Sequence, residues 1–261
     1  MSDILEELSA ARRNDAQKAA CTKAMDALLK QIAAMPPTRD FKAAFRRRGI
    51  NVIAELKKAS PSEGLIRADF NPVELARELV SSGAAALSVL CEPHRFLGDE
   101  RYLEAVRAAV DVPILYKDFI TTEYQVAAAR AAGADAILLI AAVLDDDSLA
   151  ALKARADEFG LAALVETHTE EEIRRAVALG ADLIGVNCRD LRTFKTDPAI
   201  TAELIGGIPP SCVRIAESGI RTHDDIVSLL AAGADGFLVG TTIMRAERPG
   251  AALSMLTGKD R

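Results

Sequence analysis

SSGAAALSVL (81–90), AAGADAILLI (131–140), ALGADLIGVN (178–187) and AAGADGFLVG (231–240) are four versions of one pattern. In each, a helix-like run ends at a glycine (Gly83, Gly133, Gly180, Gly233) and a short apolar run follows within a few residues. A glycine just past a helix accepts the left-handed backbone that closes the last turn. The apolar run after it is too short for a helix and too hydrophobic for an exposed strand, so it reads as a strand of a parallel sheet buried on both faces. The glycines recur at intervals of 50, 47 and 53 residues, about twice the length of one strand–helix unit. One further strand fits each gap. Eight strand–helix units in one chain predict an α/β fold of the (β/α)₈ TIM-barrel type, whose chemistry sits at the C-terminal ends of the strands.

The remainder of the chain agrees with one domain of that size. It has 261 residues, of which 50% are hydrophobic and 27% charged. A net charge of −6 argues against nucleic acid as a partner, since phosphate neutralisation needs clustered cations. The only dense basic cluster, Arg46-Arg47-Arg48, reads as a solvated patch. Cys21, Cys91, Cys188 and Cys212 show no CxxC pair, and with only three histidines no metal site is expected. No secretory h-region and no membrane-length apolar run is present, which predicts a cytoplasmic protein with no membrane partner.

Strands are predicted at 51–57, 85–90, 113–117, 136–140, 162–166, 183–187, 213–217 and 236–240. Helices are predicted at 71–82, 99–109, 122–132, 147–159, 170–179, 197–205 and 223–232, several preceded by Asp, Ser or Thr as N-caps. Residues 1–48 form a helical extension outside the eightfold pattern, and 49–261 are the barrel. Within the extension, Ile4, Leu5 and Leu8, then Met25, Leu28, Leu29 and Ile32, fall at helical spacing, and Pro36-Pro37 ends the second helix. Such an extension either plugs the bottom of the barrel or folds over its top. The loop 58–70 is long and polar for a strand–helix connection, as substrate loops often are.

Polar residues stand where the strands should be apolar. Side chains two apart share a face, so Glu55 and Lys57 lie with Ile53, opposite Val52, Ala54 and Leu56. Lys117 ends the third strand, Glu166 the fifth, Asn187 the sixth, with Arg189 two further on, and Glu217 the seventh. Charges at such depth are costly unless paired or needed. Barrel closure brings all strand ends to one rim, where the two lysines and three glutamates form a mixed acid–base cluster. The loops after strands seven and eight carry Glu217-Ser218-Gly219 and Gly240-Thr241-Thr242. On this fold, glycine amides there, leading into a helix N-terminus, are the usual phosphate site.

The ordered set IAELKKASPSEG, ILYKDFI, LVETHTEEE, IGVNCRDLRTF, IAESGI and FLVGTTIMR resembles the indole-3-glycerol phosphate synthase family over nearly the whole chain. The resemblance implies a lyase of tryptophan biosynthesis that takes 1-(2-carboxyphenylamino)-1-deoxyribulose 5-phosphate to indole-3-glycerol phosphate with loss of CO₂ and water, using no cofactor. It implies Lys117 as general acid, Glu166 as general base or acid/base partner, Glu55, Lys57 and Asn187 as catalytic support, and Glu217 at the ligand's border. Ser60, Pro61, Ser218, Gly219, Gly240 and Thr241 would hold the phosphorylated substrate, and Arg189 would add an anionic contact. Thr241 stands where relatives often have serine; the hydroxyl is kept. The N-terminal extension would pack over the catalytic face, in a monomer or weak homo-oligomer. A rival reading, phosphoribosylanthranilate isomerase, expects a Cys–Asp pair at the ends of strands one and five, where this chain has Lys57 and Glu166.

Overall fold

All four repeat glycines have positive φ, from 74° at Gly180 to 105° at Gly233. The amide after each one reaches back into the preceding helix: Ala84 to Leu79, Ala134 to Ala129, Ala181 to Ala176 and Ala234 to Leu229, all at 3.0–3.1 Å. These are the helix stops the repeat requires, and each turns the chain straight into a buried strand. The computed structural model describes residues 4–187 and 198–259. In it, strands β1 (Val52–Leu56), β2 (Ala86–Leu90), β3 (Ile114–Lys117), β4 (Ala136–Ile140), β5 (Ala162–Thr167), β6 (Leu183–Val186), β7 (Val213–Ala216) and β8 (Gly236–Val239) pair in parallel. They close in chain order, β8 onto β1, into one barrel. Each strand lies within one residue of its predicted bounds at either end.

Helices α1 (Ile4–Thr22) and α2 (Met25–Ala33) precede the barrel. Between and after the strands come α3 (Pro72–Ser81), α4 (Glu100–Arg107), α5 (Glu123–Ala131), α6 (Asp146–Glu158), α7 (Glu170–Ala178), α8 (Pro198–Gly207), α9 (His223–Ala231), α10 (Thr241–Arg245) and α11 (Pro249–Thr257). Asn71, Asp99, Thr122, Asp145, Thr169 and Thr222 each accept a backbone N–H from the first turn of the helix they precede. Inside the 58–70 loop a short ribbon, which no sequence pattern announces, pairs Ala59–Ser60 with Gly64–Leu65. No helix among the described residues is long and apolar enough to cross a membrane.

The strands bury both faces. Val52, Ala54 and Leu56 face the surrounding helices, while Ile53 faces the barrel axis together with Leu115, Leu164 and Ile215. These four come from the alternate strands β1, β3, β5 and β7 and are fully buried, one packed layer of the interior. Below them Phe41 and Phe45 close the bottom; Gly236 lies against the Phe45 ring, where a Cβ would not fit. At the other end, Leu5 and Leu8 of α1 line the mouth of the barrel, and α2 packs Leu28 on Ala127 and Ala131 of α5. The chain before β1 therefore reaches both ends: residues 41–45 plug the bottom and α1 lies across the top.

Candidate active site

Two residues further along the same four strands, the apolar layer gives way to Glu55, Lys117, Glu166 and Glu217. The alternation that buries Ile53, Leu115, Leu164 and Ile215 thus dictates that these four side chains converge. Lys117 Nζ lies 2.8 Å from Glu217 Oε2 and 3.1 Å from Glu166 Oε2. Lys57 Nζ pairs with Glu55 Oε2 at 2.6 Å. The amide of Asn187, just past β6, donates to Glu166 Oε1 at 3.1 Å, and Ser218 Oγ donates to Asn187 Oδ1 at 2.6 Å. The second oxygen of Glu217, Oε1, is buried and has no hydrogen-bond partner among the described residues.

This crowding separates the two carboxyl groups around Lys117. Burial works to raise Glu166, but Lys117, His168 and the Asn187 amide outweigh it and hold Glu166 below the usual carboxylate range. Glu217 is pushed up, first by burial and then by the neighbouring Glu166 charge, which the pull of Lys117 does not cancel. Burial alone would lower Lys117; the charges of Glu217, Glu166 and Glu55 overcome this and raise it, so the ammonium keeps its proton at neutral pH. One site therefore holds a loaded cation, an ionised carboxylate and a carboxyl group poised to stay protonated, the arrangement in which acid and base roles divide.

Above this layer opens a cavity of about 640 Å³. Leu5, Leu8, Phe96 and Phe119 give part of its wall an apolar surface, suited to a flat ring. Ser60, Pro61, Ser218, Gly219, Gly240 and Thr241 all line the same cavity. Gly219 has φ +82°, and Gly240 precedes α10 with no side chain capping that helix. Every site residue expected from the sequence is thus brought to one cavity except Arg189, which lies outside the described residues. Among the described residues no group of three His, Cys, Asp or Glu is placed to hold a metal ion.

The structure adds residues the sequence reading passed over. Gly185 faces Glu217, whose Oε1 occupies the space a Cβ would need; a glycine inside an apolar strand, two before Asn187, was a usable signal. Gly240 is pressed in the same way by Glu55 Oε2. Asp118 anchors α1: Arg12 Nε donates to Oδ1 at 2.9 Å and Nη2 to Oδ2 at 2.6 Å, with both side chains buried. Glu92, fully buried, accepts the amides of His94, Arg95 and Phe96 and so shapes the loop after β2.

A family model described as indole-3-glycerol phosphate synthase matches residues 5–256. The indole-3-glycerol phosphate synthase of Chromobacterium violaceum is 46% identical over 260 residues, covering 98% of each chain. Indole-3-glycerol phosphate synthase 2 of Streptomyces coelicolor is 45% identical over 258 residues, covering 99% of this chain and 100% of that one. Among solved structures, a 3-hexulose-6-phosphate synthase superposes with a TM-score of 0.65 at 18% identity, covering 80% of this chain and 99% of that one. Thiamine phosphate pyrophosphorylase from Pyrococcus furiosus superposes with a TM-score of 0.59 at 19% identity, covering 81% and 95%. These two likenesses concern the fold alone.

Proposed function

The chain belongs to the indole-3-glycerol phosphate synthase family, and from that premise we propose how its residues share the reaction. The activity is that of a carboxy-lyase of tryptophan biosynthesis, turning 1-(2-carboxyphenylamino)-1-deoxyribulose 5-phosphate into indole-3-glycerol phosphate, CO₂ and water. An aromatic carbon attacks the ketone of the sugar chain, and the ketone oxygen needs a proton as the new bond forms. Lys117 supplies it. The electrons of the lost carboxylate restore the aromatic ring. The hydroxyl then leaves as water, which needs a second proton, while a base withdraws one from the new ring. Two protons enter and one leaves; the net proton balances the negative charge of the carboxylate that departs as CO₂.

Glu166 is the base in this scheme, supported by its depressed pKa and by the Asn187 amide on Oε1. Glu217 keeps Lys117 aimed into the cavity, and the Lys57–Glu55 pair lends a second cation at the rim. The phosphate would lie against Ser218, Gly219, Gly240 and Thr241, with Ser60 and Pro61 beside it, where small residues leave backbone N–H groups accessible. Arg189 would add its cation there. Helix α1 would act as a lid that excludes water from the reacting ring. Free thiols at buried Cys91 and Cys212 suit the reducing cytoplasm, in a monomer or weak homo-oligomer.

The observation that carries this reading is the Lys117 ammonium held at 2.8 Å and 3.1 Å by the carboxyl groups of Glu217 and Glu166 at the floor of the cavity. Fluorescence detection of the indole product from synthetic substrate tests it. Product should form with one CO₂ per turnover in buffer containing EDTA. Substrate that binds and stays unconverted would overturn the reading.

A further inference from the structure

The face of β5 that carries Glu166 does not end there. His168 follows two positions later and falls on the same side of the chain. Its ring is largely buried, and Nε2 stands 3.4 Å from Glu166 Oε1 with no hydrogen-bond partner among the described residues. Nδ1 faces Glu172 Oε2 at 3.3 Å, and the His168 amide donates to that same oxygen at 2.7 Å. Glu172 is fixed in turn within the first turn of α7, where its own amide donates to Thr169 Oγ1 at 3.2 Å. A carboxylate–imidazole–carboxylate row thus runs from the cavity to the start of α7. A histidine serving only the core would turn its nitrogens to backbone carbonyls; this one faces two acids.

We propose that His168 is a positioning residue for Glu166: held by Glu172 as an imidazolium, it fixes Oε1 of the carboxylate and keeps that carboxylate ionised between turnovers. The inference rests on the assignment of Glu166 as base. The charged groups that act most on His168 are Glu172 from α7, Glu166 from β5 and Glu217 just past β7, the last two sharing Lys117. Burial opposes the imidazolium, but these three carboxylates outweigh it and raise the pKa of His168. Glu166 in turn counts His168 second to Lys117 among the cations that hold it low. Without the imidazole, among the described residues, Oε1 loses one of the groups facing it while the Asn187 amide remains, and Glu166 keeps the Lys117 cation but not the second. Its pKa rises, so the acid limb of kcat moves to higher pH.

The test is the pH profile of kcat for the full chain and for His168→Ala, His168→Gln and Glu172→Gln, with Glu166→Gln alongside. His168→Ala should lower kcat by roughly tenfold to a hundredfold, the scale on which misplacing a reacting group acts. KM should stay within about threefold, and the acid limb should rise. His168→Gln, which restores a donor without the charge, should recover much of kcat yet keep the raised limb. Glu172→Gln should move the limb the same way by less. In the Glu166→Gln background, His168→Ala should cost under about twofold more. A wild-type limb in His168→Ala, or a lost kcat with neither limb shift nor recovery by glutamine, overturns the inference. Near-wild-type kcat in Glu166→Gln would instead remove the base assignment itself, and the two failures are told apart by that variant alone. If the alanine variant does not fold, the limb in His168→Gln decides.

Discussion

The two ends of the barrel use the same chemical groups to opposite ends. At the bottom, the aspartate that follows the repeat glycine is a staple between strands. Asp135 is buried and accepts the amides of Arg39 at 2.7 Å and Ile114 at 2.9 Å, and Arg107 Nη1 at 2.9 Å. Asp235 accepts the amide and Nε of Arg214, both at 2.9 Å, and Asp182 pairs with Lys42. Asp135 and Asp235 are satisfied by groups that stay in place. At the top, Glu166 and Glu217 share one lysine, and Glu217 Oε1 is left without a hydrogen-bond partner among the described residues. A carboxylate saturated by backbone amides and guanidinium groups stabilises the fold; one left short of partners retains capacity for a substrate. Charge alone does not mark the active end. How the carboxyl groups there are partnered does.

The sharpest way to break this contrast is to remove a cation at the top. Lys117→Met should cut kcat by roughly 10²–10⁴, the usual worth of a positioned general acid, while substrate binding stays within about tenfold. Its Tm should change little, because Glu217 can stay protonated once the ammonium is gone. A kcat within threefold of wild type would show that the proton comes from elsewhere. The counterpart at the bottom is Asp135→Ala. Arg107 would then be left half-buried without its carboxylate, and the amides of Ile114 at the start of β3 and of Arg39 before β1 would lose their acceptor. Breaking such a pair costs about 3 kcal/mol, or roughly 6–12 °C in Tm for a domain of this size, with kcat within about twofold of wild type. Thermal melts and assays below the transition read both; a Tm loss under 2 °C would mean the staple is decorative.

Gly240 probes the boundary between binding and catalysis at the top. The sequence suggests a phosphate contact there, and a side chain at that site would then raise KM. The structure supplies a second reason for glycine, since a Cβ would overlap the Glu55 carboxylate. Gly240→Ala should therefore lower kcat by about tenfold through displacement of Glu55 and Lys57, with a smaller rise in KM. A change confined to KM would leave the phosphate contact as the sole reason.

Much of this contrast is legible in the sequence, for a definite reason. Strict two-residue alternation in strands buried on both faces leaves few places for a charge, so Glu55, Lys117, Glu166 and Glu217 stood out against Ile53, Leu115, Leu164 and Ile215. The helix-stop glycines were equally plain, because their backbone requirement is local. Contacts between distant segments left no such trace. Arg12 and Asp118 are 106 residues apart, and neither differs from a surface charge in its own neighbourhood. The dual use of the N-terminal segment was hidden for the same reason: amphipathic spacing tells that a helix buries a face, not which end of a barrel it covers. His168 and Gly185 were legible in principle, since each sits on the parity of a recognised site residue.

The smallest effect concerns what the active end costs in stability. Glu217 is a buried carboxyl whose pKa in the folded protein lies above its ordinary value, with burial as the first cause and the Glu166 charge as the second. In the unfolded chain the same group ionises at lower pH. Between those two values the folded protein therefore binds more protons than the unfolded one, and stability falls as pH rises through the window. Glu217→Gln removes the titration while keeping shape and a hydrogen-bonding carbonyl toward Lys117, and Glu166 remains to pair that ammonium. The variant should lose activity yet gain about 1 kcal/mol of stability or less at alkaline pH, a shift of a few degrees in Tm. The gain should be larger near about pH 8 than near about pH 5, where the native glutamate is already protonated. At the bottom of the barrel the corresponding change, Asp235→Asn, should only destabilise at either pH. Equal losses of Tm for Glu217→Gln and Asp235→Asn would mean that the carboxylates at both ends hold the fold alike, and the contrast between them would fail.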